Sequence, residues 1–357
     1  MDVLTDKDVR KLLEWYRQNR RTLPWRDTGD PYDVLLSEIM LQQTRVEAVI
    51  SYFQRFRKEV PDIASLAQIE EEKLMRLWEG LGYYSRARNL KKCAQQIMER
   101  HDGKIPADHE KLLSLAGIGP YSAGAIASIA FDLPCPAVDG NVLRVMARFL
   151  GIEEDIRSEE VKRKITDVIA RHYDPSITWE RGHYSDLSQA FMELGALVCL
   201  PNGRPDCGHC PFRENCHAHI HSLTEQIPYR SKNKERKIVE RTVLIIREGE
   251  GFLIRRRPSK GLLAGMHEFV GLEEKLDDKG VKEYLKRRGI RAEKITRLED
   301  SRHIFSHVEW QMNVYEIKVR DRNFELEENE MWADRSTLQS LALPSAFRTY
   351  TDHYGLR

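Results

Sequence analysis

Apolar residues recur at helical spacing through the first part of the chain. The runs 9–16, 35–41 and 74–81 place apolar side chains three and four positions apart. Proline and glycine separate these runs, and the alternation that is typical of strands is scarce. Over about residues 6–200 the pattern therefore predicts helices joined by short loops.

The pattern changes after residue 216. Residues 217–237 are polar and basic, which predicts a linker. Beyond it, short β-rich runs and two charged, leucine-rich segments predict strands at 243–246, 252–254 and 312–317 and helices near 279–289 and 335–342. We therefore predict a multi-domain chain, with an all-α domain over 1–216 followed by an α+β domain over 238–357.

Composition narrows the class of protein. The 357 residues are enough for two or three domains, 32% of them are charged, and no apolar stretch approaches the length of a membrane span. The N-terminus is polar and acidic, so we expect a cytoplasmic protein without a membrane segment. The net charge of +1 says little, but two basic clusters occur, at Arg86, Arg88, Lys91 and Lys92 and at Arg230, Lys232, Lys234, Arg236, Lys237 and Arg241. Such clusters alone only hint at nucleic acid.

Four of the six cysteines lie within eighteen residues: Cys199, Cys207, Cys210 and Cys216. Thiolates at this spacing, separated by proline and glycine, are typical of a metal centre. Disulfides are the alternative, but a cytosolic thiol cluster more often binds metal. Structural zinc and an iron–sulfur cluster both accept four sulfurs, and the spacing does not decide between them. The remaining two, Cys93 and Cys135, are predicted to be buried structural thiols.

Two turns in the helical region are candidate sites. Residues 112–128 predict a hairpin of two helices, in which Gly117 and Gly119 permit a tight turn and close approach to a ligand. The free N–H groups where the second helix begins suit a phosphate, although an ordinary turn is the alternative. Asp139 follows about twenty residues later at another helix start, where an N-cap is the commoner role of an aspartate.

The hairpin and Asp139 together resemble the helix-hairpin-helix DNA glycosylase superfamily. In that superfamily the hairpin binds a backbone phosphate, and an aspartate like Asp139 lies in the active site. The cysteine segment 199–216 is similar to the iron–sulfur branch, which implies a [4Fe–4S] cluster rather than zinc. One departure is that seven residues separate Cys199 from Cys207, where the family usually has six.

Within that branch the chain resembles the MutY-type adenine DNA glycosylases over nearly its whole length. The segments 23–26, 37–44, 80–84 and 195–199 stand where that family has them. The sister endonuclease III branch carries a lysine in the hairpin, which attacks the sugar as an amine. Tyr121 occupies that position here, and we expect no nearby lysine to replace it as a Schiff-base nucleophile.

The resemblance implies cleavage of the glycosidic bond of adenine by two carboxyl groups. It makes Glu38 the acid that protonates adenine N7 and then activates water, and Asp139 the ionised carboxylate that stabilises the sugar cation or traps it. The apolar neighbours of Glu38 predict burial and a raised pKa, whereas Ser37 beside it permits a solvent-facing position. We expect the helix dipole to help Asp139 stay ionised.

The resemblance also assigns supporting residues. Tyr121 and Asn141 match groups that hydrogen-bond the acid and the sugar, and the adenine pocket is matched by Trp25, Arg26, Leu41 and Glu193. Core packing is the alternative for Trp25 and Leu41. A base in a duplex must be flipped out of the helix to react, and side chains of the protein must then fill the gap that it leaves. The residues that match the DNA-contacting positions of the family are Gln43, Thr44, Leu81 and Tyr83.

The C-terminal domain resembles the Nudix-like module with which MutY-type enzymes recognise 8-oxoguanine. Residues 265–271 look like the start of a Nudix box, but 282–287 carry lysine and arginine where two magnesium-binding glutamates would follow. We therefore expect the C-terminal domain to bind its ligand without hydrolysing a pyrophosphate bond. Phe305, Ser306 and His307 match the loop that reads the oxidised base, since a serine hydroxyl can accept the N7–H of 8-oxoguanine. A surface turn is the alternative.

The sequence therefore predicts a monofunctional adenine DNA glycosylase with a [4Fe–4S] cluster, a monomer that acts on duplex DNA containing A:8-oxoG or A:G. Two alternatives stay open. The first is an endonuclease III-like pyrimidine glycosylase and AP lyase. The second is a catalytically silent DNA-binding protein.

Overall fold

The computed structural model describes residues 3–175, 182–231 and 235–356. They form two compact units, each described by itself. The helical unit comprises Met1–Ile69 and Arg88–Lys232, and the sheet unit comprises Glu70–Ala87 and Asn233–Arg357. The predicted first domain, 1–216, included residues 70–87, which the structure groups with the sheet unit instead. The exact domain boundaries stay a prediction.

Among its described residues the helical unit contains helices and no strand, as the sequence predicts. The helices up to residue 220 are α1 (Asp6–Asn19), α2 (Pro31–Leu41), α3 (Val46–Glu59), α4 (Ile63–Gln68), α5 (Glu71–Trp78, in the sheet unit), α6 (Ser85–Arg100), α7 (His109–Leu113), α8 (Pro120–Phe131), α9 (Gly140–Leu150), α10 (Glu159–Ala170), α11 (His183–Leu197) and α12 (His217–Ile220). Two 3₁₀ turns lie at Arg171–Tyr173 and Cys207–His209.

Helix α2 is the element that positions the candidate acid. Asp30 caps it by accepting a hydrogen bond from the Tyr32 amide, and Pro31 occupies the first helical position, where a missing N–H costs nothing. Residues 32–40 are all buried, because α2 packs against α3 on one side and α8 on another. A helix that is apolar nearly all round is an interior helix, so a carboxylate on it is placed in the protein interior.

A second group of helices forms an apolar core next to α8, which packs against α11. Helices α1, α9, α10 and α11 contribute one apolar cluster, and α12 packs onto α9. Residues 217–231, predicted as linker, belong instead to this packed unit, since Ala218 and Ile227 are both buried. Of the rest of the predicted linker, Lys232 and Lys234 lie outside the described residues.

The sheet unit is α+β, as predicted. Its strands are β1 (Lys237–Glu248), β2 (Gly251–Arg256), β3 (His267–Leu272), β4 (Ala292–Arg297), β5 (Ser301–Ile304), β6 (Val308–Val319) and β7 (Glu330–Ala333). They run in the order β4-β6-β1-β3-β2-β7, with β5 also paired to β6. Strands β1 and β6 are parallel over eleven residue pairs, and the other pairings are antiparallel.

Helices complete both faces of this sheet. They are α13 (Asp278–Arg287), α14 (Arg335–Ser340) and α15 (Arg348–His353). Helices α13 and α14 lie close to the two predicted helical segments, whereas α15 was not predicted. One apolar cluster joins the sheet to α14 and α15, and a second joins it to α13. No helix in the described part of the chain is both long and apolar enough to span a membrane.

Candidate active site

A cavity of about 920 Å³ in the helical unit brings together all eight residues predicted for catalysis and for the base pocket. They are Glu38, Tyr121, Asp139, Asn141, Trp25, Arg26, Leu41 and Glu193, and Gln43 and Thr44 also line the cavity. These residues come from α2, α8, α9, α11 and the loops that precede them. Residues far apart in the sequence thus share one concave site, which is typical of a ligand pocket.

Glu38 is only 6% exposed, so its predicted burial is confirmed and the solvent-facing alternative is wrong. The Tyr121 hydroxyl donates a hydrogen bond of 2.7 Å to Glu38 Oε2. Burial raises the pKa of Glu38 to about 7, and the nearby Asp139 adds to the rise, while the Tyr121 hydrogen bond and the charge of Arg26 oppose it. A carboxyl group in this range can hold a proton near neutral pH and then release it.

Tyr121 is a hydrogen-bond donor at this site. Burial and the negative groups Glu38 and Asp139 raise the pKa of its hydroxyl well above the usual value. The hydroxyl therefore keeps its hydrogen and donates it to Glu38. The Met192 sulfur also lies 3.7 Å from the hydroxyl oxygen.

Asp139 is both an N-cap and a lining residue of the cavity. Its Oδ1 accepts hydrogen bonds from the amides of Asn141 and Val142 at 2.9 and 2.8 Å, and its Oδ2 accepts one from Asn141 Nδ2 at 2.7 Å. Burial raises the pKa of Asp139, and these three hydrogen bonds oppose that rise. The capping and catalytic interpretations are compatible, because the cap holds the carboxylate at the cavity wall.

Asn141 is itself held by a residue that the sequence analysis missed. Arg144 Nη2 donates to Asn141 Oδ1 at 2.9 Å and to the Gly195 carbonyl at 2.8 Å, and its Nε donates to the Cys199 carbonyl at 2.8 Å. Gly195 is needed here, since a Cβ would stand 2.6 Å from the Cβ of Asn141. The amide that contacts Asp139 is thereby fixed from α11 and from the cysteine segment.

Glu193 forms a compact ion-pair cluster with two arginines. It accepts hydrogen bonds from Arg21 Nε at 2.9 Å and from Arg26 Nη2 at 2.8 Å, among others. Burial alone would raise the pKa of Glu193, but the hydrogen bonds from Arg21 and Arg26 outweigh it and lower the pKa to about 2. Arg21 was not predicted, because its contact with Glu193 joins positions that are 172 residues apart in the sequence. Trp25, beside Arg26, packs edge-on against Phe53 at 5.3 Å.

Helix α10 forms a wall of the cavity that no sequence motif indicated. Glu159, Lys162, Arg163 and Thr166 line it. The Lys162 ammonium lies 2.6 Å from Glu159 Oε1, which keeps both groups paired at the helix surface. Lys162 is thus a lysine of the cavity wall, on an element other than the hairpin that carries Tyr121. Nothing in the charged pattern of α10 distinguishes it from an ordinary solvated face.

The hairpin glycines have different structural reasons. Gly117 has a φ of +78°, and a Cβ there would stand 2.7 Å from the Asn89 Cβ, so the fold itself requires glycine. Gly119 begins α8 without a side-chain cap, and a Cβ there would meet nothing within 4 Å. Its backbone is therefore open to a ligand outside the chain, next to Pro120, which lines the cavity.

The predicted wedge residues of the sheet unit, Leu81 and Tyr83, differ in exposure. Leu81 is 6% exposed, whereas Tyr83 is 43% exposed. Arg86 donates hydrogen bonds to the carbonyls of Leu81 and Gly82, and burial lowers the pKa of Arg86 to about 10. Arg86, first read as part of a surface basic cluster, thus stabilises this loop from inside.

The predicted lesion loop is the turn between β5 and β6. The Phe305 amide donates to the Val308 carbonyl at 2.8 Å, and Ser306 and His307 at the tip are exposed. The hydroxyls of Ser306 and Tyr83 hydrogen-bond each other. On α13, Lys282, Lys286 and Arg287 are exposed where a Nudix hydrolase would have its metal carboxylates.

The four clustered cysteines, Cys199, Cys207, Cys210 and Cys216, line one small cavity of about 20 Å³. In the described part of the chain, no three cysteine, histidine or acidic side chains are gathered as the ligands of a single metal ion. Four cysteine thiols that line one small cavity are a ligand set that both a structural zinc ion and an iron–sulfur cluster accept.

A cation beside Cys199 suits an anionic thiolate centre, whereas burial of Cys210 and Cys216 opposes ionisation unless a metal binds. Arg148 Nη1 lies 3.3 Å from Cys199 Sγ, and its Nε donates to the Ile227 carbonyl at 2.8 Å. Burial raises the pKa of Cys210 to about 12 and that of Cys216 to about 11. Such thiols stay protonated unless a cation binds them.

Two family models match the chain. Residues 36–171 match the HhH-GPD superfamily of base excision DNA repair proteins, and residues 242–353 match the NUDIX domain. In the solved structure of a thermostable thymine-DNA glycosylase, 97% of that chain aligns with 60% of this one at a TM-score of 0.52 and 23% identity, which shows a shared fold.

Curated relatives extend the match across both units. The rat adenine DNA glycosylase is 43% identical over 219 residues, which are 59% of this chain and only 41% of the rat protein. The adenine DNA glycosylase of Buchnera aphidicola subsp. Baizongia pistaciae is 30% identical over 339 residues, which cover 94% of this chain and 93% of that protein. With both domains and nearly the whole length matched, this chain belongs to the adenine DNA glycosylase family.

Proposed function

We propose that this protein excises adenine mispaired with 8-oxoguanine or guanine in duplex DNA, by hydrolysis of the N-glycosidic bond, and so initiates base excision repair. The observation that carries the proposal is the hydrogen bond between the buried Glu38 and Tyr121, in the same cavity as Asp139. Two carboxyl groups in unlike environments are what glycosidic cleavage through an oxocarbenium-like transition state requires.

Glu38 supplies the proton. With a pKa of about 7, a substantial fraction of Glu38 is protonated at neutral pH. Transfer of that proton to adenine N7 makes the base a neutral leaving group. The Glu38 carboxylate that remains accepts a hydrogen bond from Tyr121 and is ready to take a proton from the attacking water.

Asp139 faces the positive charge that develops on the sugar. Three hydrogen bonds from Asn141 and Val142 hold its carboxylate in one orientation before the reaction begins. Preorganised negative charge of this kind stabilises a cationic transition state without reorganisation during the reaction. The start of α9 supplies two of the donors, which favours the ionised form.

The arginine pair contributes to base recognition. Glu193 receives five N–H contacts from Arg21 and Arg26, so most of its acceptor capacity is used. Glu193 therefore acts chiefly by orienting the two guanidinium groups, whose remaining N–H donors suit the ring nitrogens of adenine. Trp25 and Leu41 add apolar walls for the purine faces.

The reaction requires a nucleotide that has left the helix. The hairpin backbone at Gly119 is open to a phosphate, and helix N-termini favour anions. Gln43, with a φ of +58°, lines the cavity, and the exposed Tyr83 ring is available to stack where the adenine has left. Flipping costs a few kcal/mol, at the order of magnitude, and such contacts offset it.

The sheet unit reads the opposite base. The exposed hydroxyl of Ser306 can accept the N7–H that distinguishes 8-oxoguanine from guanine. The basic surface of α13 is unsuited to magnesium and suits a phosphate backbone. This unit therefore binds a modified base rather than hydrolysing a nucleotide.

A [4Fe–4S] cluster completes the helical unit. Cys199, Cys207, Cys210 and Cys216 would hold it, and Arg148 would offset part of its negative charge. The cluster supplies a cross-link that orders the 199–216 segment, which carries Arg204 and Arg213 for contact with DNA.

A panel of three duplexes tests the proposal. One contains A:8-oxoG, one A:G, and one thymine glycol opposite adenine. We expect release of adenine from the A:8-oxoG and A:G duplexes and no base release from the thymine glycol duplex. The Glu38→Gln variant should release no adenine. Release from thymine glycol alone would favour the endonuclease III-like alternative. Tight binding to all three without release would favour a silent DNA-binding protein.

A further inference from the structure

A buried ion-pair cluster lies beneath the predicted lesion loop in the sheet unit. Glu268, fully buried, accepts hydrogen bonds from Arg255 at 2.8 and 3.0 Å and from Arg257 at 2.7 Å. A third arginine, Arg241 on β1, has its Nη2 at 3.5 Å from the same carboxylate. Glu268, part of the segment that resembles the start of a Nudix box, is therefore engaged with arginines.

Arg241 is the unusual member of this cluster. It is 1% exposed, and none of its three guanidinium nitrogens has a hydrogen-bond partner among the described residues. Its Cζ stands 4.0 Å from the ring centroid of Trp310, so the guanidinium lies against the indole face. Arg257 approaches the same ring at 5.3 Å. The buried charge of Arg241 is thus balanced by the Glu268 carboxylate and by contact with the indole face.

Trp310 connects this cluster to the loop. Phe305 contacts it edge-on, with ring centroids 4.9 Å apart and planes at 69°. Phe305 is the first residue of the turn, and its amide closes the turn on Val308. At the other end the His307 carbonyl accepts a hydrogen bond of 3.0 Å from the Lys237 amide. Ser306 lies between these two anchors, so the Trp310 ring helps to determine where its hydroxyl stands.

A buried cation at this position is poorly explained by stability alone. Replacing buried ion pairs with apolar residues of similar volume is often neutral or stabilising. A Cβ at Gly271 would stand 2.8 Å from Arg241 Nη2, so glycine leaves room for the guanidinium group where it lies. The strand is thus adapted to the arginine, which points to a role in fixing the Trp310 ring.

We propose that Arg241 is a positioning residue for lesion recognition: through Trp310 and Phe305 it holds Ser306 in the orientation that distinguishes 8-oxoguanine from guanine. The inference rests on the proposed function, since it concerns the specificity of the same reaction. Arg241 does not touch the DNA base in this scheme. It acts by limiting the motion of the aromatic pair under the loop.

The test compares single-turnover rate constants for A:8-oxoG and A:G duplexes, with protein in excess over DNA but below saturation. Arg241→Met keeps the length of the side chain but removes the charge, and Arg255 and Arg257 still pair with Glu268. We expect the preference for A:8-oxoG to fall about fivefold, which corresponds to about 1 kcal/mol, the size of one cation–π contact. A loss of stability alone would lower both rate constants together and leave their ratio unchanged.

Two further variants sharpen the test. Arg247→Met is the matched control, because Arg247 lies on the same strand, pairs with Glu316 at 2.7 Å and approaches the Tyr354 ring at 5.8 Å, away from the loop. It should leave the ratio unchanged. Arg241→Lys retains a cation and should recover at least half of the lost preference. Hydrogen exchange at the Phe305 amide should be faster in Arg241→Met and unchanged in Arg247→Met.

The outcomes distinguish failure of this inference from failure of the proposed function. An unchanged ratio in folded Arg241→Met, with Ser306→Ala losing preference, overturns this inference alone. Absence of adenine release by the wild-type protein overturns the proposed function and the inference together. If Arg241→Met does not fold, Trp310→Phe tests the same link, since the smaller ring offers less surface to the cation. An unchanged ratio in Trp310→Phe also overturns the inference.

Discussion

The Tyr121 hydroxyl donates its hydrogen to Glu38 Oε2 over 2.7 Å, and this bond is the strongest single interaction that opposes the effect of burial on the pKa of Glu38. The same carboxyl group is thereby kept near pKa 7 rather than higher. A hydrogen bond to a carboxylate favours its charged form. The pair therefore sets the pH range in which Glu38 can act as an acid.

The rate of adenine release should fall as the pH rises above about 7, because Glu38 loses the proton that it must donate. Tyr121→Phe removes the bond that lowers the pKa, so the descending limb of the single-turnover pH profile should move to higher pH. Tyr32→Phe is a matched control, since that buried hydroxyl contacts the Val60 carbonyl instead. A limb that moves to lower pH in Tyr121→Phe would contradict the assignment.

Glu38→Gln and Asp139→Asn should each reduce base removal by at least about a hundredfold, the usual size of a general acid–base contribution. Both should leave DNA affinity nearly unchanged, because neither residue is needed to bind phosphate. Single-turnover kinetics and filter binding measure the two quantities separately. Glu99→Gln, on an exposed part of α6, is the control. Near-wild-type turnover in either active-site variant would refute its role.

The purified protein should be brown, with absorbance near about 400 nm and about four irons per chain. Cys210→Ser should lose iron and weaken DNA binding more than intrinsic chemistry, because the 199–216 segment would lose its cross-link. Cys135→Ser, which removes a half-buried thiol outside that segment, should keep the iron. Stoichiometric zinc without iron after anaerobic purification would exclude the cluster.

The product should be an intact strand with an abasic site, cleaved only after alkali or heat. Tyr121 stands where a lyase would have lysine, and Tyr121→Lys should create a borohydride-trappable adduct. Lys162 lines the same cavity, so any weak trapping by the wild type should disappear in Lys162→Ala. Lys164→Ala, on the same helix but outside the cavity lining, is the control. Efficient trapping that survives Lys162→Ala would contradict a monofunctional enzyme.

Ser306→Ala should reduce the preference for A:8-oxoG over A:G by at most about tenfold, as expected for one hydrogen bond. His307→Ala combined with it should exceed either single change. Ser340→Ala, at the exposed end of α14, is the control. Point variants are preferable to truncation after residue 230, which would also remove most of the unit to which residues 70–87 belong. An unchanged preference in the double variant would exclude this loop as the reader.

Local pattern predicted the elements well, because helical spacing and β-rich runs report the face that each element buries. The apolar neighbours of Glu38 correctly predicted a buried acid with a raised pKa. The four cysteines and both turns were also identified from spacing. What these features share is that the informative residues are close together in the sequence.

The missed features depend on contacts between distant segments. Arg21 donates a hydrogen bond to Glu193, which lies 172 positions away in the sequence. Helix α10 lines the cavity with charged and polar side chains whose pattern is that of an ordinary solvent-exposed helix face. The burial of Leu81 likewise was not evident from its sequence, since Arg86 donates a hydrogen bond to its carbonyl from the following helix. No single-sequence pattern carries such information, since it arises only when the helices pack.

Residues 70–87 belong with the sheet unit although they are encoded within the helical one. On the ribosome this segment must therefore wait until residues 88–232 and much of the sheet unit have been synthesised. At rates of about 5–20 residues per second, the delay is roughly ten seconds or more. During that interval helix α5 lacks its contact with α14. The nascent chain thus carries α5 and the loop bearing Tyr83 without the rest of their unit until the end of synthesis.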